Sequence, residues 1–299
     1  MPLAVPRKAA AIILGLALAA APLAARAADA DAVKRGEYLF TAADCSSCHT
    51  DEKRNGAPLA GGPPLVTPFG IFFGPNITPD RMTGIGGWSE AQFHDALRSG
   101  IDEHGRYLYP VFPFTSFTHL TDADISDLHA YLMAQKPVAQ PNRPHEVSVP
   151  FGFRSLLIAW RTLFFDEGPL PDAPAQSDEW KRGRYLAEAV AHCQECHTPR
   201  NFLGALETSR AYSGNPHGPD RQNAPNITQD KETGIADWSV DDLVALLDSG
   251  QKPDYDYVGS GMAQVVKGTG ALNEADKHAI AVYIKSLPPI HGEKAEKKK

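Results

Sequence analysis

Cysteine is scarce, with four residues in a chain of 299. That excludes a disulfide-dense scaffold, and bridging Cys45 to Cys48 would close too small a loop to stabilise much. Basic residues are also in deficit: 29 Lys and Arg against 36 Asp and Glu leave a formal charge of -7. Such a balance argues against nucleic acid and for steered encounter with a basic patch on a partner. Long apolar runs are missing too. The one near the N-terminus, Ala9 to Ala21, falls short of the roughly 20 residues that span a bilayer.

That short run has the surroundings of a secretory signal. Arg7 and Lys8 precede it, and Ala25-Arg26-Ala27 follows as a small-x-small cleavage site. Residues 1–27 are therefore read as a signal peptide, with a mature chain from Ala28 exported to the periplasm. Loss of Arg7, Lys8 and Arg26 would make the mature chain more acidic still. Residues 291–299 form a basic tail that is expected to be solvated.

The four cysteines fall into two copies of one motif, Cys45-Ser46-Ser47-Cys48-His49 and Cys193-Gln194-Glu195-Cys196-His197. Cys-x-x-Cys-His is the attachment signature of c-type haem. Two thiols three residues apart lie on one side of a helical turn, where each can form a thioether to one vinyl group. The next residue, His49 or His197, then offers an imidazole nitrogen to the iron. A redox dithiol or a zinc site built from four thiolates would use the cysteines but would need neither histidine. The recurrence favours two haem c groups attached through Cys45, Cys48, Cys193 and Cys196.

The repeat extends beyond the motifs. Lys34 to Leu39 matches Lys181 to Leu186, Pro75-Asn76-Ile77-Thr78 matches Pro225-Asn226-Ile227-Thr228, and Trp88-Ser89 matches Trp238-Ser239. Gly36 and Gly183 sit inside the helices that lead to the motifs, where close approach of another helix is the expected reason. The Asn-Ile-Thr triplets look like glycosylation acceptors, but their place in a duplication favours a structural turn. Ser89 and Ser239 are read as caps for helices over residues 90–97 and 240–247. Thr121 and Asn273 are read as caps for last helices over 122–133 and 274–285. Between the copies, residues 139–177 form a proline-rich linker with an apolar centre from Phe153 to Phe165. A helix packing the copies together is favoured there over one lying on a membrane surface, which would give peripheral membrane contact.

The copies differ at the sixth iron ligand. His opposite Met raises the potential of a c-type iron, and Met262, in a Gly-rich stretch expected to be a loop, suits that role opposite His197. The same offset of 150 brings the first copy to Phe112, which cannot ligate. His104, His119 and Met82 are unique to the first copy, their counterparts being Asp254, Ala271 and Glu232. They are the candidate replacements; an iron left five-coordinate beneath Phe112 is the other option. A histidine or an empty site would each make the first centre the lower in potential.

Further segments bring a resemblance. Pro75 to Asp80, Thr83 to Gly86, Leu108-Tyr109-Pro110, Ala130 to Met133, Trp160 to Phe165 and Cys196 to Phe202 resemble the membrane-associated cytochrome c subunits of bacterial alcohol, aldehyde and gluconate dehydrogenase complexes. The resemblance covers nearly the whole mature chain. It implies electrons taken from a periplasmic or membrane-associated dehydrogenase and passed to a downstream cytochrome, an oxidase or quinone. Members of that family usually carry a third haem domain and a membrane anchor, neither of which is expected here, and a methionine where Phe112 stands.

The expected fold is all-α, with two tandem class I cytochrome c-like domains at 28–138 and 178–290, each around one haem. The expected function is electron relay by a periplasmic dihaem cytochrome. The alternative is a haem enzyme that uses an open first site on peroxide or a sulfur compound.

Overall fold

The computed structural model describes residues 21–218 and 223–293. The basic start, most of the apolar run after it and the Lys294 to Lys299 end of the tail lie outside the described residues. No helix among the described residues is long and apolar enough to cross a membrane.

The chain is predominantly helical, and its order repeats. In the first half α1 (Ala21–Ala42) leads into α2 (Cys45–His49), the first Cys-x-x-Cys-His turn. A hairpin follows, β1 (Pro64–Thr67) and β2 (Gly70–Phe73), and then α3 (Glu90–Arg98), α4 (Phe114–Phe117) and α5 (Asp122–Met133). The linker holds β3 (Glu146–Val147) and α6 (Leu156–Phe164). In the second half α7 (Asp178–Tyr185) runs through a π-turn at Leu186–Val190 towards α8 (Gln194–His197), followed by α9 (Val240–Ser249), α10 (Ser260–Thr269) and α11 (Glu274–Lys285). The sheet pairs β2 antiparallel with both β1 and β3.

Local chemistry sets the helix starts. Ser89 and Ser239 close reciprocal capping boxes with Gln92 and Asp242, and the Thr121 and Asn273 side chains accept from the third backbone N–H of α5 and α11. Each such cap is worth about 1 kcal/mol.

Packing of the first helix on the last is dictated by glycine. A Cβ on Gly36 would stand 2.0 Å from the Asp127 carbonyl oxygen of α5, and one on Gly183 would stand 1.9 Å from that of Ala279 in α11. Arg35 then grips the Asp127 carboxylate with two hydrogen bonds of 2.6 and 2.8 Å. A third close approach joins the halves: Gly268 of α10 meets the Thr41 carbonyl of α1, where a Cβ would be only 2.4 Å away.

The Asn-Ile-Thr turns are buried. Asn76 donates to Thr83 Oγ1 and to the Val138 carbonyl while its Oδ1 accepts from the Thr78 backbone N–H. Asn226 repeats this with Thr233, Ile290 and Thr228. At 1 % and 3 % exposed, they lock the chain leaving the last helix onto the loop, which is a structural task and not a glycan site.

The linker touches both halves. The Trp160 indole N–H donates to the Leu203 carbonyl at 3.0 Å, and its ring lies 6.5 Å from that of Phe114. Only Leu157 of α6 is buried, while Leu156, Ile158 and Leu163 are exposed.

Candidate haem sites

Each Cys-x-x-Cys-His turn is seated on a loop that comes back to its histidine. The His49 Nδ1 lies 2.7 Å from the Pro75 carbonyl oxygen and the His197 Nδ1 lies 2.8 Å from that of Pro225. A carbonyl can only accept, so Nδ1 carries the proton in both rings and the lone pair is on Nε2. Burial also holds both imidazoles below their usual pKa, against the opposing carbonyl bond. Both rings are thus neutral with a fixed tautomer, an arrangement that suits a metal-ligating histidine. Gly62 and Gly74 make the first seat tight: a Cβ on either would stand 1.8 or 1.7 Å from the Cys48 carbonyl oxygen.

Both turns open into one cavity of about 1920 Å³ that includes Cys45, Cys48, His49, Cys193, Cys196 and His197 in its lining. A single small-ligand pocket occupies about 300–1,000 Å³, so this space exceeds one such site. Trp88 and Trp238 line it with a largely apolar wall, and Arg143 and Arg154 supply positive charge. The buried Asn215 amide nitrogen also belongs to a lining residue and has no acceptor among the described residues. An apolar chamber with a few cations and an unsatisfied donor fits a macrocycle bearing carboxylates.

The thiols fit haem attachment better than the rival chemistries. No disulfide links the four cysteines. Burial pushes Cys45 and Cys193 up to about 12 and Cys196 up to about 11, which disfavours the free thiolate of a redox dithiol. Among the described residues no group of three or more His, Cys, Asp or Glu could hold a metal ion.

The cytochrome c family matches residues 33–136. A dihaem cytochrome c of Cereibacter sphaeroides is 42 % identical over 86 % of each chain. The chain belongs to the c-type cytochrome family. Similarity extends to the fructose dehydrogenase cytochrome subunit of Gluconobacter japonicus, 40 % identical over 86 % of this chain and 52 % of that protein. It also extends to the gluconate 2-dehydrogenase cytochrome c subunit of Pantoea cypripedii, 40 % identical over 93 % of this chain and 64 % of that protein. The chain therefore spans a little over half the length of these dehydrogenase subunits. Membership carries covalently bound haem c with it.

Met262 lines the cavity, as its assigned role requires. It stands near the start of α10, however, and not in a loop. The glycines at 259 and 261 suggested a loop by propensity, but α10 packs on α9 and α1, and tertiary packing overrides propensity. Phe112 also lines the cavity. None of its candidate replacements does: Met82 is 90 % exposed, His104 pairs with Glu103 on the surface, and the His119 ring bonds the Gly168 carbonyl at 2.6 Å.

Two residues at the site had been passed over. His145 of the linker lines the cavity, its Nδ1 3.3 Å from the Phe73 N–H and its ring against Phe72 and Tyr109. Glu195, inside the second motif, is buried and accepts from Thr115 at 2.9 Å and Ser116 at 3.2 Å, on the far side from its partner Arg200. Burial pushes its carboxyl up, but the Arg200 cation and the hydrogen bonds outweigh burial and hold it below the usual range. The signal for Glu195 was present in the motif alignment, where a buried acid faces Ser47 of the other copy. His145 had no such signal, because its counterpart lies outside the repeat.

Proposed function

We propose that this chain is a periplasmic dihaem cytochrome that relays single electrons from a partner dehydrogenase to a downstream cytochrome, an oxidase or quinone. The observation that supports it most directly is the shared cavity, with both attachment turns and both carbonyl-held histidines in its wall. The names of the relatives, cytochrome subunits of fructose and gluconate dehydrogenases, supply the class of electron donor.

In this reading residues 28–138 and 178–290 are tandem cytochrome c domains of one haem each, joined by 139–177, and residues 1–27 are the export signal. Haem c, once attached through Cys45, Cys48, Cys193 and Cys196, supplies the one-electron couple. The chain does the rest. His49 and His197 offer Nε2, Met262 offers its sulfur to the second site, and the apolar walls exclude water.

Closeness of the two turns supports transfer within the chain. His192, beside Cys193, has its Nε2 3.2 Å from the Ala43 carbonyl just before the first motif. The Phe117 ring lies 5.5 Å from the His192 ring.

The test is the mass and haem content of the exported holoprotein, followed by reduction in native membranes. Two haems per chain, together with reduction on adding a sugar, sugar acid or alcohol, support the relay. A single haem, or reduction that survives Cys193→Ser with Cys196→Ser unchanged in rate and extent, refutes it.

A further inference from the structure

Phe112 occupies in the first repeat the place that Met262 occupies in the second, and both line the cavity. A phenyl ring has no lone pair to give iron. Nor is the ring free to leave: it packs on Phe117 at 5.5 Å, and Phe117 is 6 % exposed in the core. The short helix that carries Phe117 is tied down through Thr115 and Ser116 to Glu195.

Among the described residues, the remaining amine and imidazole donors of the cavity wall near the first motif are Lys53, His145 and His192, the last with Nε2 turned to the Ala43 carbonyl at 3.2 Å and its ring against Phe117. Lys53 lies in the short turn Glu52–Arg54, just beyond His49, and so shares its segment. His145 sits between Phe72 and Tyr109 with Nδ1 turned to the Phe73 N–H. His145 and His192 are the rival ligands that a test must eliminate.

Phe112 packs on Phe117, the cavity wall of this half also includes Leu97, Leu108 and Leu120, and among its charged members Asp102 and Arg106 are spent on each other at 2.8 Å. Burying an anion or a large polar molecule there would cost its hydration without hydrogen bonds in return. A small neutral molecule with a lone pair for iron meets no such penalty. Polarity and access on this side of a haem decide between ligand binding and simple electron transfer.

We propose that the first site binds a neutral diatomic ligand, of the class of carbon monoxide, nitric oxide or oxygen, on the face covered by Phe112. The inference rests on the reading that both motifs carry haem. Phe112 is the residue that keeps this face without a protein ligand, and Phe117 with the Glu195 tie holds it in place.

The experiment titrates the reduced full-length holoprotein with carbon monoxide and counts haem on the same sample by pyridine haemochrome and mass. The expected result is two haems and one carbon monoxide per chain. Phe112→Met should bring the count of bound carbon monoxide from one to none and give both irons a methionine-ligated spectrum. Phe112→Leu, which adds no donor, should leave it at one, and so should His145→Ala and His192→Ala. Two haems with no carbon monoxide bound, or binding that appears only in His145→Ala or His192→Ala, would overturn the proposal. One haem per chain would instead overturn the dihaem reading beneath it.

Discussion

The Tyr38 hydroxyl, in the first helix of the first half, donates to the Asp276 carboxylate in the last helix of the second at 2.6 Å, across 238 residues of chain. Tyr38 also accepts from the Asn273 backbone N–H at 3.2 Å, so it completes the cap of α11. The Tyr185 hydroxyl does the same in reverse, donating to Asp124 and accepting from the Thr121 N–H of α5. Each half thus finishes the cap of the other's last helix.

Removing either hydroxyl should loosen that exchange. Hydrogen bonds to charged groups contribute about 1.5–3 kcal/mol, so Tyr38→Phe and Tyr185→Phe should each lower the stability of the holoprotein by about that much in guanidinium titrations. The double variant should lose no more than the sum, since both tyrosines restrain one interface and the second removal acts on contacts already loosened.

The acid limb of stability should depend on Asp276. Burial pushes its carboxyl up, but hydrogen bonds from Arg182 and Tyr38 and the Arg182 charge outweigh this and hold it below the usual range. A carboxyl lowered in the folded state contributes stability that is fully present above the unfolded value of about 3.9 and is lost as pH falls through the folded one. Asp276→Asn should therefore be less stable than wild type at pH 7, with the gap narrowing towards pH 3.

Glu195 should be costly to truncate. Removing one member of a buried ion pair costs about 3–5 kcal/mol, because the partner charge is left behind. Glu195→Ala strands Arg200, Thr115 and Ser116 together and belongs in that range. Glu195→Gln can still accept from Thr115 and should lose less, as denaturation midpoints of the pair will show.

The helix crossings should reject even a methyl group. Gly36→Ala and Gly183→Ala each drive a Cβ into a backbone carbonyl, which has no side-chain freedom to give. Overpacking typically costs about 1–3 kcal/mol. Both variants should melt earlier than wild type, whereas alanine at exposed Gly105, with nothing within 4 Å of its Cβ, should lose only the strain of its positive φ.

Met262 should set the higher of the two potentials. Replacing it by alanine should lower one midpoint potential by about 0.1–0.3 V, inside the roughly 0.8 V range that axial ligands span. The other midpoint should stay unchanged in a spectroelectrochemical titration. Carbon monoxide bound by the reduced protein should rise from one to two per chain.

Much of this architecture was legible in advance because it is local. Thr121 and Asn273 cap α5 and α11, which run over 122–133 and 274–285 as their patterns indicate. The same holds for Ser89 and Ser239, whose caps reach only three residues. The helical setting of Met262 in α10 and the β1–β2 hairpin are not legible in the sequence. Two glycines and a short mixed segment leave local preference weak, and packing against neighbours decided both.

By itself the sequence displayed the duplicated Cys-x-x-Cys-His motif, since the motif lies within one helical turn and the repeat can be read by offset. It also exposed the difference between Phe112 and Met262. Only the tertiary structure decided that the Pro75 and Pro225 carbonyls hold the histidines, 26 and 28 residues away. The same is true of Glu195 reaching Thr115 across 80 residues, and of His145, rather than His104, His119 or Met82, entering the cavity wall. Helical spacing reports contacts three or four residues apart. Pairings over dozens or hundreds of residues depend on how closely glycine lets the helices cross.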